Sequence, residues 1–147
     1  MLLKTIIRAV ALSLLLSFAG FGVRAQSLPI IPFKYFSQAT TNSTLVSGAG
    51  QNVLKWIIAT NTTTVAATLT YLKLYNKATA PTCGTDTPVM TIALLPNAAN
   101  GNGQFAMGLD DTRFSLGIGF CLTALPADND TTATTTGIII NLGYLWQ

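Results

Sequence analysis

The chain has 147 residues, of which only 9% are charged, and it contains no histidine. Eight basic residues stand against five acidic ones, all of them aspartate, which gives a formal net charge of +3 at pH 7. Catalysis at neutral pH usually needs a side chain that can be tuned to exchange protons, and this composition offers few of them. The composition therefore argues against an enzyme, and no catalytic residue is assigned.

The N-terminus has the layout of a secretory signal peptide. Two basic residues open it, an apolar run from Ala9 to about Val23 follows, and Ala25 precedes the expected cleavage site. The run is shorter than the roughly 18 to 20 apolar residues that span a bilayer, so a membrane anchor is the weaker alternative. The sequence predicts a signal peptide over residues 1–25 and one exported domain over residues 26–147. That domain is expected in the periplasm, the extracellular space or a particle surface, and not as an integral membrane protein.

Cleavage would remove three of the eight basic residues, which leaves five basic against five acidic residues and no net charge. The basic character belongs to the leader, so no nucleic-acid partner is indicated. Few charges and no net charge reduce the repulsion that keeps protein molecules apart. We therefore expect the chain to be partly covered by neighbours, which are copies of itself or other structural proteins.

The rest of the chain reads as a series of β-strands, because no segment shows helical spacing with caps. Clusters of Gly, Asn, Pro and Asp separate the apolar, alternating segments, which cover residues 52–60, 65–77, 89–95, 105–109, 113–125 and 137–147. About seven or eight strands of this kind predict an all-β fold with a single antiparallel β-sandwich. The pattern leaves open whether the strand order is jelly-roll or immunoglobulin-like.

Three of these segments carry specific expectations. In the first, Leu54, Trp56 and Ile58 are expected on one face of the strand. The strand over residues 65–77 is apolar on both faces at its end, which predicts a central position in its sheet. In the strand over residues 113–125, small residues alternate with large apolar ones, which predicts close approach of another part of the chain to the small side.

The two cysteines, Cys83 and Cys121, are expected to form an intramolecular disulfide, because an exported chain meets an oxidising compartment. Closing a loop of about 38 residues contributes about 4 kcal/mol in the chain-entropy account. The alternative is a reactive thiol, which would need a cationic neighbour or a histidine to lower its pKa.

Two acidic motifs are candidate sites. Asp110 and Asp111 could form a carboxylate pair, but a turn explains them better. The run Asp128, Asn129 and Asp130 resembles the start of a calcium loop, yet it stops after two acidic positions and no glutamate follows. A solvated turn is therefore favoured there, and the sequence predicts neither a metal site nor a cofactor.

The aromatic residues of the strands are the weak candidates for a binding site. Trp56, Tyr71, Tyr75, Tyr144 and Trp146 could form a platform on which sugars stack. Aromatic residues in alternating strands are more often part of a core, so that interpretation is preferred. The platform is the basis of the alternative function, a secreted glycan-binding or surface-binding adhesion domain.

The segment KLYNKATAPT, followed after Cys83 by GTDTPV, resembles a group of small uncharacterised β-rich proteins encoded in tailed phages and prophages. The later segments RFSLGIGFCLTAL, ADNDTTA and INLGY are similar to the same group in order and spacing, so the resemblance covers residues 50 to 145 or so. It implies a β-sandwich component of a virion or particle surface, such as a decoration or tail protein, that works by self-association.

No functional residue is carried over from this resemblance. The chain departs from the group in its leader and in Cys83 and Cys121, which stand where small apolar residues are expected. Both departures suit an oxidising compartment. Together with the composition, the resemblance favours a non-enzymatic structural or assembly protein.

Overall fold

The computed structural model describes most of the chain beyond the leader, namely residues 27–37, 42–64, 69–97, 103–134 and 136–147. Asp110 and Asp111 are described by their backbone alone. The predicted signal peptide lies outside the described residues. Those residues form strands and no helix, and none of their segments is a helix long and apolar enough to cross a membrane.

The described residues contain eight strands. In chain order they are β1 (Ile31–Phe36), β2 (Ser43–Ser47), β3 (Asn52–Asn61), β4 (Thr70–Asn76), β5 (Met90–Leu94), β6 (Gln104–Phe114), β7 (Ile118–Thr123) and β8 (Ile138–Trp146).

The strands pair as one long hairpin that is wound on itself. β1 pairs with β8, β2 with β7, β3 with β6 and β4 with β5, all antiparallel. Two further pairings, β3 with β8 and β4 with β7, complete sheet A in the order β1-β8-β3-β6 and sheet B in the order β2-β7-β4-β5. This is the strand order of a jelly roll, an eight-stranded sandwich of two Greek keys. The predicted all-β sandwich is confirmed, and the jelly-roll order replaces the immunoglobulin-like alternative.

One apolar core lies between the two sheets. The ring of Phe120 in sheet B meets Phe33 and Tyr35 of sheet A edge to face, with ring centroids 6.4 and 5.0 Å apart. Both sheets add fully buried aliphatic side chains around these rings, including Leu54, Ile57, Leu72, Leu74, Ile140 and Leu142. Burial of one such side chain contributes about 1.5 to 3 kcal/mol, so this core dominates the stability of the domain.

Several strand predictions are confirmed. β4 lies in the middle of sheet B, and its side chains Leu72 and Lys73 are fully buried on opposite faces. β5 ends at Leu94, two residues before Pro96, which has no amide proton to extend the ladder. The last strand, β8, lies inside sheet A between β1 and β3.

The strand predicted over residues 113–125 is wrong in extent, because the structure divides it between the two sheets. β6 ends at Phe114, a turn follows, and β7 begins at Ile118. Gly117 in this turn has a φ of 146°, and a Cβ there would overlap the carbonyl oxygen of Lys77. The apolar alternation continues across the turn because both strands send side chains into the same core.

The turn predicted at Asp110 and Asp111 is also wrong, since both residues lie within β6. The register between β3 and β6 shifts nearby, between Leu54 and Trp56. Such an irregularity bends a strand without ending it. Turn-forming residues therefore mark a disturbed strand here and not the end of one.

Strand β3 carries one extra residue relative to β8, and this reverses a predicted face. Leu54 and Trp56 are two residues apart, but they pair with adjacent residues of β8. Since side chains alternate along a strand, one inserted residue moves all later side chains to the opposite face. Leu54 faces the core, but the next fully buried side chain is Ile57. The prediction that Leu54, Trp56 and Ile58 share one face is wrong, because Trp56 and Ile58 point outward.

The reversed face can be tested by comparing two adjacent truncations. Ile57→Ala should lower the free energy of unfolding by about 2 to 5 kcal/mol, because it leaves a cavity in the core. Ile58→Ala should cost less than about 1 kcal/mol, as expected for a residue on the outer surface. Urea denaturation of both variants measures the difference. Equal costs, or the larger cost at Ile58, would contradict the assigned faces.

Candidate interaction surfaces

The outer face of sheet A is apolar and accessible at many positions. Its register places three rows of residues across the four strands, namely Pro32-Gly143-Trp56-Gly108, Lys34-Asn141-Ile58-Ala106 and Phe36-Ile139-Thr60-Gln104. We call these positions the open face. Phe36 is 51% exposed and Ile58 is 36% exposed, while Lys34 is the one charged residue of the set. An apolar surface with so little charge is suited to contact with another protein surface.

Trp56, in the first row of the open face, is held in place over a glycine of the neighbouring strand. A Cβ on Gly143 would overlap the Trp56 indole, and it would lie 2.8 Å from a methyl group of Ile30. An aromatic ring over a strand glycine supplies the side-chain cover that the glycine lacks. On the other side of Trp56, Gly108 has open space above it. The indole is therefore positioned by its own sheet and stays half-accessible.

The outer face of sheet B is covered, in contrast, by the protein's own loops over its central strands β7 and β4, whereas the edge strand β5 stays accessible. The loop over residues 77–89 is tied to β7 by the disulfide between Cys83 and Cys121, whose Cα atoms are 5.9 Å apart. The ring of Pro81 lies over Gly119, where a Cβ would be 2.8 Å from its Cδ atom. The predicted disulfide is confirmed, and so is the predicted close approach to the small side of this strand.

A second loop, which joins β7 to β8, is fixed by a buried lysine. Lys73 of β4 is fully buried, and its ammonium group donates a hydrogen bond to the carbonyl of Ala127. The carboxylate of Asp130 accepts hydrogen bonds from the backbone amides of Leu125 at 2.8 Å and Thr132 at 3.0 Å. A buried charge is costly unless it has such partners, so Lys73 favours the position of this loop against sheet B.

The environment of Asp130 favours its charged form. Burial raises the pKa of this carboxyl group, but hydrogen bonds from Thr132 and Leu125 and the positive charge of Lys73 outweigh burial and hold it below its usual value. Both carboxylate oxygens accept backbone protons. Within the part of the chain that the structure describes, no three His, Cys, Asp or Glu side chains are grouped to hold a metal ion.

Residues 128–130, which resemble the start of a calcium loop but are expected to form a solvated turn, do form a turn. In it the amide of Asp130 donates a hydrogen bond to the carbonyl of Ala127 at 2.9 Å. Asp128 is exposed, as a solvated turn requires, but Asp130 is buried. The turn is therefore confirmed and its solvation is wrong for Asp130, because the carboxylate is used inside the loop.

The first loop has a carboxylate of its own. Asp86 accepts hydrogen bonds from the ammonium group of Lys77 and from the amide of Thr82 at 2.7 Å. The hydrogen bond from Lys77 is the main reason that the pKa of Asp86 is lowered. Both loops over sheet B thus depend on an ionised aspartate that accepts a backbone amide.

The five aromatic candidates lie in separate places. Tyr71 is half-buried on the outer side of sheet B, and Tyr144 packs against the core. Tyr75 is fully buried, and its hydroxyl has no hydrogen-bond partner among the described residues. Burial, with smaller contributions from two nearby aspartates, raises the pKa of this hydroxyl. Trp56 lies on the open face and Trp146 at one end of the sandwich, so the structure does not bring the five together.

Trp146 is the most exposed of these aromatic side chains, at 59%. Its indole lies against Gly50, where a Cβ would be 2.5 Å from the ring nitrogen. A cleft of about 170 Å³ opens at the same end of sheet A, where Asn52 pairs with Trp146, and it is lined by Gln51, Asn52, Val53, Arg113, Phe114, Ser115 and Gln147. An exposed ring next to polar side chains is the arrangement that sugars bind.

The strand order and the shared core define an eight-stranded jelly-roll sandwich with one covered outer face. No protein-family model, curated protein or solved structure matches the chain. The resemblance to phage-encoded proteins is not tested by these comparisons and stays a prediction.

The role of Asp130 can be tested through acid denaturation. A carboxylate whose pKa is lowered by folding stabilises the protein above its unfolded pKa of about 3.9, and this contribution is lost as the pH falls through the lower folded value. The free energy of unfolding should therefore decrease below about pH 4. Asp130→Asn should be less stable than the wild type at pH 7, and its free energy of unfolding should decrease less steeply in acid. Asp86, whose pKa is also lowered, should account for part of the decrease that remains in this variant.

Asp128→Asn is the matched control, since it makes the same change at an exposed position of the same turn. It should stay within about 0.5 kcal/mol of the wild type at pH 7. Urea denaturation over a series of pH values measures both variants. An Asp130→Asn profile parallel to that of the wild type would contradict the role assigned to this carboxylate.

Proposed function

We propose that this protein is a non-enzymatic structural or assembly component of a virion-like particle or a cell surface, and that it works by self-association. The open face of sheet A is the observation that carries the proposal. It presents the accessible side chains Phe36, Trp56 and Ile58, whereas loops cover the central strands β4 and β7 of the opposite outer face. Accessible apolar patches of this kind mark protein interaction sites.

A second copy of this chain is the occupant that the open face fits best. A partner of opposite charge would have little to recognise, because Lys34 is the one charged residue of the face. Lys34 lies on the edge strand β1, so it remains at the rim when two such faces stack. Face-to-face stacking of sheets is the arrangement already used between sheets A and B.

The size of the open face indicates how strong such a contact can be. Four strands about 4.8 Å apart and roughly six residues long at about 3.4 Å each give an area near 400 Å². Two stacked faces would then cover about 800 Å², which is below the range of about 1,200 to 2,000 Å² found for stable complexes. A weak contact of this size suits an assembly in which each subunit makes several contacts.

Other features support the same proposal. Jelly rolls of eight strands occur in viral capsid proteins, although a fold alone does not determine a function. The disulfide between Cys83 and Cys121 is compatible with an exported, oxidising location. The carboxylates of Asp86 and Asp130 accept hydrogen bonds that hold loops, which is a structural use of the few acidic groups.

The proposal can be tested by placing a charge on the open face. Ile58→Asp should move the protein from a sedimenting, assembled fraction of an expressing culture to the soluble fraction, because a carboxylate there would be desolvated by stacking. Leu116→Asp is the matched control, since this leucine is exposed on the turn between β6 and β7. Wild-type protein that remains monomeric at every concentration and joins no larger particle would contradict the proposal.

Trp146 supports a second candidate function, a secreted glycan-binding or surface-binding domain. This exposed residue lies at the same end of sheet A as the cleft that contains Gln51, Arg113 and Ser115, whose side chains can hydrogen-bond to hydroxyl groups. Jelly rolls also occur in lectins. The two candidate functions use different parts of the surface, so they can be tested separately.

Glycan-array binding distinguishes the second candidate. Trp146→Ala should weaken binding about tenfold, whereas Trp146→Phe should retain most of it, because a phenyl ring still stacks on a sugar. Ile58→Asp serves as a control, because the open face lies away from the cleft. If the wild type binds no glycan on the array, this candidate is excluded.

A further inference from the structure

We infer that strand β5 is a pairing edge at which two copies of this chain join their B sheets into one continuous sheet. Among the strands that the structure describes, β5 lies at the end of sheet B, and β4 is its one neighbour in that sheet. The inference rests on the proposed self-association, but it concerns an edge that is not part of the open face. An experiment can therefore distinguish failure of the β5 inference from failure of the proposed self-association through the open face.

The four edge strands of the sandwich differ in how they are protected against pairing. Natural edges carry proline, charged residues, irregular register or a very short strand, all of which discourage another chain from adding to them. β1 has Pro32 and Lys34. β6 has Asp110, Asp111 and Arg113 as well as a register shift. β2, which is as short as β5, has a register shift.

β5 has none of these charges, prolines or register shifts in its own five residues, nor in the residues next to them. The segment VMTIALL, from Val89 to Leu95, contains no charge, glycine or proline, and its pairing with β4 is regular from Thr70 to Leu74. Such uncharged, apolar segments of six or seven residues are the ones that pair most readily with a copy of themselves. Pro88 and Pro96 flank the segment, so pairing would stop at its ends and would not spread along the chain.

The exposure of the flanking residues points to the same edge. Leu95 is 64% exposed, the highest value among the large apolar side chains described, and Val89 is 58% exposed. Thr91 and Ala93 lie between them and are also exposed, while Ile92 and Leu94 are buried. The edge thus presents an uninterrupted accessible row on its outer side and core residues on its inner side.

A two-fold axis at Ile92 explains why a second copy fits. Antiparallel pairing about that axis places Thr91 opposite Ala93 of the second copy, and Val89 opposite Leu95 of the second copy. The two exposed apolar side chains of each copy are then cross-strand neighbours of those in the other copy, which is a favourable pairing. The same axis sets the inner residues of the two edges side by side, so the cores of the two molecules become continuous.

This register can be tested by charge exchange on the protein obtained from the full chain. In T91E/A93E each glutamate faces a glutamate of the second copy, and in T91E/A93K each glutamate faces a lysine. Both side chains are exposed, and position 91 lies beside Lys73 on β4, so a glutamate there is compatible with the fold. Sedimentation equilibrium measures the dissociation constant of the pair.

We expect the wild type to associate, T91E/A93E to raise the dissociation constant by roughly tenfold, and T91E/A93K to stay within about threefold of the wild type. Thermal denaturation of each variant checks that it folds. Equal weakening by both variants would overturn the two-fold register, and no effect of either would overturn β5 as an interface. If Ile58→Asp abolishes association while the β5 variants do not, this inference falls and the proposed function stands.

Hydrogen exchange of the wild type gives a readout that needs no variant. Amide protons of β5 that point away from β4 should exchange more slowly as the protein concentration rises, because pairing gives them carbonyl partners. Amide protons at the outer edge of β1 are the internal comparison. Exchange in β5 that does not depend on concentration would overturn the inference.

Discussion

The extra residue in strand β3 is the constraint on which both faces of sheet A depend. A strand points only every second side chain towards the core, so a single inserted residue decides which half of the following residues enters it. The insertion lies between Leu54 and Trp56, and it sends Ile57 inward and Ile58 outward. Without it, the large indole of Trp56 would point into the sandwich, and the apolar outer surface of sheet A would lose its largest side chain. The core and the candidate interaction surface are thus two results of one irregularity.

In sheet B, by contrast, loops of the same molecule cover the outer side chains of the central strands β4 and β7. Lys73 is central to this cover, since a buried ammonium group must keep its hydrogen-bond partner, the carbonyl of Ala127. The disulfide holds the neighbouring loop at Cys121. The two outer surfaces therefore differ in kind. The central strands of sheet B are covered by loops that ionised groups and a covalent bond hold in place, whereas the central strands of sheet A are left to solvent or to a partner. This asymmetry is what the proposed assembly role uses.

The sequence predicted the elements whose pattern reflects local burial. The central position of β4 and the extent of β5 followed from alternation and from Pro96, and the disulfide followed from the number of cysteines and the expected compartment. β1 and β2 were not identified, because β1 contains Pro32 and both strands are short and only partly buried. The insertion in β3 was missed because an apolar run reads the same with or without it. The burial of Lys73 depends on a loop more than fifty residues away, and no local pattern carries that information.

The pairing of β1 with β8 also determines how the domain would respond to force. Ile31 lies opposite Tyr144, so the first and last described segments leave the same end of sheet A on adjacent antiparallel strands. Tension applied through these two ends would load the hydrogen bonds between β1 and β8 one at a time, as in opening a zipper, and would need little force. Peeling could not extend the chain between Cys83 and Cys121, because the disulfide closes it into a ring. Force along the chain would therefore extend only the residues outside this ring.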